Sequence, residues 1–117
     1  MKVTIYHNPR CSKSRQTLAL LEDRGINPEV VEYLKNPPNE ETISQLLDLL
    51  DFEPRELMRK NEDEYKALDL GNTQLSKQEL IAAMSENSKL IERPIVVVDD
   101  KKAAIGRPPE SVLDLLD

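Results

Sequence analysis

The chain carries one cysteine, one histidine, one phenylalanine and no tryptophan among its 117 residues. A single Cys excludes an intramolecular disulfide, and with it the cross-linked scaffold of small secreted proteins. One His beside one Cys gives too few soft ligands for a zinc site, and the Asp and Glu positions show no metal spacing, so no metal is expected. With only three glycines there is no Gly-rich phosphate loop. The formal net charge of −6 and an aromatic content of 3% make a poor nucleic-acid binder. No apolar run approaches the roughly 20 residues needed to span a bilayer, and no signal-like run opens the chain. No membrane association and a cytoplasmic location are therefore expected. The Leu, Ile and Val that remain suffice for the core of one domain, 1–117.

What is present is concentrated in KVTIYHNPRCSKSRQTLALL, Lys2–Leu21. Val3 and Ile5 lie in a short β-rich run, Asn8-Pro9 interrupts it, and a helical pattern begins just after Cys11. Strand, tight loop and helix put the cysteine at a helix N-terminus, where unpaired N–H groups and the helix dipole favour an anion. Lys2, Arg10, Lys13 and Arg15 surround it with no carboxylate before Glu22, so these 21 residues carry +4 and the rest −10. Cations and a helix N-terminus both lower a thiol's pKa from its free value of about 8.5. A lone cysteine commonly packs as a small hydrophobe, but a polar, cationic, Pro-broken loop is a poor apolar site. Cys11 is read as a thiolate nucleophile, and a cationic pocket in an acidic body suits a small anion.

Helix 1 is expected from about Ser12 to Arg24, stopped by Gly25, with Leu18 and Leu21 inward. EVVEYL at 29–34 reads as a second strand, parallel to the first through a right-handed crossover. Ile43, Leu46, Leu47 and Leu50 form an amphipathic stripe. Pro54 starts a short helix, and Ser76 with Glu79 forms a capping box opening a helix over 77–86. The region of about 39–89 is thus a helical insertion. PIVVV at 94–98 reads as a buried strand, with a turn at Asp99-Asp100-Lys101 and an antiparallel partner at 102–105. A last helix follows Gly106-Arg107-Pro108-Pro109, with Val112, Leu113 and Leu116 inward. The fold class is α/β: a βαβ–ββα four-stranded mixed sheet with a helical insertion.

That order, with a reactive Cys after the first strand, resembles the thioredoxin fold. YHNPRCSKSRQTL at 6–18, ELMRKNEDEYKALDL at 56–70, ERPIVV at 92–97 and GRPPE at 106–110 together resemble the ArsC family. This is the glutaredoxin-dependent arsenate reductase group with its short housekeeping relatives. The resemblance implies that Cys11 attacks the oxyanion and that His7 keeps the thiol ionised. It implies that Arg59, Arg93 and Arg107 bind oxyanion or stabilise the thiolate, that Ser14 and Arg15 line the anion site, and that the bond before Pro94 is cis. Arginine suits the task, because its planar charged fork matches an oxyanion better than lysine does. The loop also departs from the plasmid-type enzymes, which carry a small Gly-Thr pair where this chain has Ser12 and Lys13. Arg15 lies four residues beyond Cys11, and position 17 is Thr17, so the C-x5-R cradle of cysteine phosphatases is absent.

The implied reaction reduces arsenate to arsenite, with glutathione as co-substrate, glutaredoxin as partner and no bound cofactor. The resolving thiol must come from outside, in keeping with a single Cys. Two alternatives stand beside it: an Spx-like regulator, which shares the fold and binds RNA polymerase, and a glutathione-dependent disulfide reductase acting on another substrate. Many Spx-like proteins carry a CxxC pair where this chain has Cys11 and Ser14.

Overall fold

A computed structural model describes residues 1–117. It divides into two compact units, Met1–Asn36 with Arg93–Asp117, and Pro37–Glu92.

The first unit holds the sheet. Strands β1 (Val3–His7), β2 (Glu29–Glu32), β3 (Ile95–Val98) and β4 (Lys102–Ile105) lie in the order β2-β1-β3-β4. β1 is parallel to β2 and antiparallel to β3, and β3 is antiparallel to β4. All four residues of β3 are buried, as expected for a continuous apolar run in the sheet interior. β1 alternates, with Val3, Ile5 and His7 buried. Val3, Ile5, Val96 and Val98 join Leu21, Val112 and Leu115 in one core cluster, against which Leu18, Ile26 and Leu116 pack.

Helix α1 (Ser12–Asp23) ends as its sequence dictates. Gly25 takes φ +77°, its N–H donates to the Glu22 carbonyl, and the Ile26 N–H donates to the Leu21 carbonyl. This double closure needs a left-handed residue that glycine supplies without strain. The β3–β4 turn uses two left-handed aspartates, Asp99 and Asp100 (both φ 55°), and closes through Lys101 N–H to the Val98 carbonyl. Asp tolerates that conformation better than most side chains.

The end of the chain departs from the expected helix. Pro109–Leu116 winds as a 3-10 helix and buries Val112 and Leu115. At three residues per turn, positions i and i+3 share a face, so Leu115 joins Val112 inward, while Leu116 packs partly against the core and Leu113 is half-buried. Strand β2 is also shorter than expected, because the chain turns at Tyr33–Leu34.

The second unit is helical. α2 (Glu40–Leu50), capped by the Asn39 side chain, turns Ile43, Leu46 and Leu47 inward. α4 (Lys77–Glu86) begins with the reciprocal Ser76–Glu79 capping box and buries Leu80, Ile81 and Met84. α3 (Asp63–Ala67) lies between them. Arg55 ties the intervening loops together, donating to the carbonyls of Leu70 and Asn72 at 2.8 and 2.7 Å. The acidic excess resides here: 13 Asp and Glu face 6 Lys and Arg, whereas the sheet unit holds 9 against 10.

No helix is long and apolar enough to cross a membrane.

Candidate active site

Strand register gathers the motifs. Tyr6 near the end of β1 pairs with Ile95 at the start of β3, and Ile95 pairs with Ile105 at the end of β4. The loop after β1, the Arg93-Pro94 segment before β3 and the Gly106-Arg107-Pro108 loop after β4 therefore emerge at one end of the sheet. The bonds preceding Pro94 and Pro108 are both cis; sequence reading anticipated only the first.

Cys11 is the N-cap residue of α1, in extended conformation. Its N–H donates to the Asn8 carbonyl at 3.0 Å, which closes the loop, and Asn8 Oδ1 accepts from the Arg10 N–H. The Cys11 carbonyl accepts from Arg15 N–H. Cys11 is 8% exposed, so the residue is buried, but beside donors that favour its anion. Burial works to raise its pKa. The Ser14 N–H, the charge and hydrogen bond of Arg93, and the Lys13 N–H together outweigh burial and hold the thiol below its ordinary value. Arg107 Nη2 approaches Sγ at 3.4 Å, while its Nε donates to the Arg93 carbonyl at 2.8 Å. The two arginines are thereby linked to each other as well as to the sulfur.

His7 meets Ser14, one link removed from the thiol. Its Nδ1 lies 2.6 Å from Ser14 Oγ, which also accepts the Asn8 N–H at 3.0 Å. Burial holds the imidazole below its ordinary pKa, Glu32 opposes this and Arg15 adds to it, so the ring favours its neutral form near neutral pH. The Ser14 hydroxyl is fully buried and turned toward His7. The residue serves the sulfur through its backbone N–H.

Arg15 is exposed and donates to the Pro9 carbonyl at 2.9 Å, bracing the loop. Arg59 belongs to the helical unit, where it forms an ion pair with Glu62. The site thus brings together Cys11, Ser14, Arg93, Pro94 and Arg107, with His7 and Arg15 supporting the loop. No group of three or more His, Cys, Asp or Glu is placed to hold a metal ion.

Two residues that sequence reading missed pack behind these loops. Thr17 is fully buried and its hydroxyl donates to the Lys13 carbonyl at 2.8 Å. Gly106 is buried against it, and its N–H donates to the Pro94 carbonyl at 2.9 Å. A threonine in an amphipathic helix and a glycine in a Pro-rich turn carry no signal of proximity.

The sequence profile of the ArsC family matches residues 6–115. The chain belongs to the ArsC family. This ArsC protein is 50% identical to an arsenate reductase of Haemophilus influenzae, across 99% of its own length and 100% of that relative. It is 55% identical to the uncharacterized protein YfgD of Escherichia coli K12, across 98% of its own length and 97% of that chain. Among solved structures, an arsenate reductase from Vibrio cholerae superposes with a TM-score of 0.94 at 55% identity, covering 97% of each chain. The ArsC fold is thioredoxin-like, which the mixed βαβ–ββα sheet of this chain reproduces.

Proposed function

We propose that this ArsC protein is an arsenate reductase that uses Cys11 as its single nucleophile, with glutathione as co-substrate and glutaredoxin as reductant. The observation that carries the reading is the placement of the Cys11 sulfur between the α1 N-terminus, Arg93 and Arg107, which lowers its pKa. Anion-binding donors and a nucleophile share one place, as attack on a tetrahedral oxyanion requires. The names of the relatives support arsenate as that anion.

In this mechanism the Cys11 thiolate attacks arsenic, and one arsenate oxygen leaves as water after taking up protons. Arg93 and Arg107 offset the charge on the remaining oxygens. The ArsC resemblance implies a further oxyanion donor in Arg59, which within the helical unit pairs with Glu62. The glutathione thiolate then attacks the Cys11 sulfur. The S–As electron pair stays on arsenic, which falls from As(V) to As(III) and departs as arsenite. Cys11 is left as a mixed disulfide with glutathione. A glutaredoxin thiolate attacks the glutathione sulfur and returns Cys11 as thiolate.

The test is NADPH-coupled arsenate reduction with glutathione, glutathione reductase and glutaredoxin. Saturable turnover that Cys11→Ser abolishes is expected. Cys11-dependent reduction of small mixed disulfides without arsenate turnover would instead assign the protein as a disulfide reductase.

A further inference from the structure

Gly106 lies outside the cation set, and its φ is not in the left-handed range, so conformational freedom does not explain it. Space does. A Cβ built on Gly106 falls 2.4 Å from Thr17 Oγ1, 3.0 Å from Thr17 Cγ2 and 2.8 Å from Pro94 Cγ. Neither neighbour gives way easily. Thr17 is fully buried, β-branched and held by its bond to the Lys13 carbonyl. Pro94 is a buried rigid ring whose own carbonyl receives the Gly106 N–H. Restoring ordinary contact at 3.4 Å from 2.4 Å therefore requires the 106–108 loop to retreat by about 1 Å. The next residue in that loop is Arg107, whose contact with Sγ is already 3.4 Å.

We propose that Gly106 and Thr17 are positioning residues, whose close approach sets the Arg107 guanidinium against the Cys11 sulfur. Hydrogen bonds weaken steeply as they lengthen, so a retreat of this size releases Arg107 from the thiolate while the sheet and core stay as they are. The inference rests on the thiolate reading of the site and not on arsenate as substrate. It is therefore tested on thiol ionisation, which stands whether or not arsenate is turned over.

The experiment compares the pH profile of Cys11 alkylation by iodoacetamide in wild type, Gly106→Ala, Arg107→Ala and the double variant Gly106→Ala/Arg107→Ala, with melting curves for each. Gly106→Ala and Arg107→Ala are both expected to raise the alkylation midpoint, with about a threefold or greater fall in rate below the midpoint. The Gly106→Ala substitution is expected to add no further midpoint shift once Arg107 is gone. Thr17→Ala, which removes two of the three close contacts, is expected to recover most of the shift in Gly106→Ala/Thr17→Ala, and that pair carries the test if Gly106→Ala alone does not fold. A wild-type midpoint in folded Gly106→Ala overturns the proposal. So does an equal shift with and without Arg107, or an unrelieved shift in the Thr17→Ala pair, because each makes the glycine a packing residue with no link to the guanidinium.

Discussion

Removing the Arg93 guanidinium tests the electrostatics of the site most directly. Arg93→Ala deletes both a unit charge and a hydrogen bond from the Cys11 thiolate, and leaves the Ser14 and Lys13 N–H donors in place. At an effective dielectric of about 20, opposite charges about 4 Å apart attract by about 4 kcal/mol. Arg93 is only half-buried and Arg107 remains beside the sulfur, so that figure is a ceiling. A hydrogen bond to a charged group, worth about 1.5–3 kcal/mol, is the better guide. The thiol pKa therefore rises, and alkylation below the midpoint slows by about tenfold or more. The assay is the pH dependence of iodoacetamide alkylation or of thiolate ultraviolet absorbance, with circular dichroism to establish folding. The stability profile changes in a linked way. A thiol with a depressed folded-state pKa binds fewer protons than the unfolded chain between that value and about 8.5, so stability rises with pH across the window and is lost as pH falls through the folded pKa. Arg93→Ala narrows the window from below. It is also expected to weaken oxyanion binding more than it lowers the melting temperature. A folded variant with an unmoved alkylation midpoint would refute the assignment of Arg93 as the thiolate's charged partner. A large drop in melting temperature with unchanged anion affinity would make it a structural residue.

Ser14→Ala removes the oxygen that meets both His7 Nδ1 and the Asn8 N–H. A loss of about 1–3 kcal/mol is expected, read as a lower denaturation midpoint, and an unchanged midpoint shows that these two contacts do not stabilise the fold. His7 has a depressed folded-state pKa, so below about pH 6.5 the unfolded chain binds the extra proton and stability falls on acidification. His7→Gln is expected to flatten that part of the pH–stability curve, and a curve of unchanged slope counts against a buried neutral imidazole. Leu21→Ala opens a void in a fully buried core position and is expected to cost about 2–5 kcal/mol in denaturant titration, while the Cys11 alkylation midpoint stays fixed. A moved midpoint there shows that core packing, and not the donors, governs the sulfur.

Local chemistry determined much of this protein. The Pro-broken loop put Cys11 at the start of α1, Gly25 stopped that helix, the Ser76–Glu79 box opened α4, and the uninterrupted PIVVV run became the buried strand β3. Each depends on residues a few positions apart, where backbone sterics and short hydrogen bonds dominate. The winding of Pro109–Leu116 escaped such reasoning, because the inward face of a short C-terminal turn follows from what it packs against. Arrangement at the sulfur was decided by register across the sheet. Tyr6, Ile95 and Ile105 align, so arginines 82 and 96 residues after Cys11 reach one end of the sheet. The same packing set the Ser14 hydroxyl against His7 and its backbone N–H among the groups that lower the Cys11 pKa. It also pressed Gly106 onto Thr17. Spacing along the chain carries no record of distances across a sheet, and the ionisation of Cys11 depends on those distances.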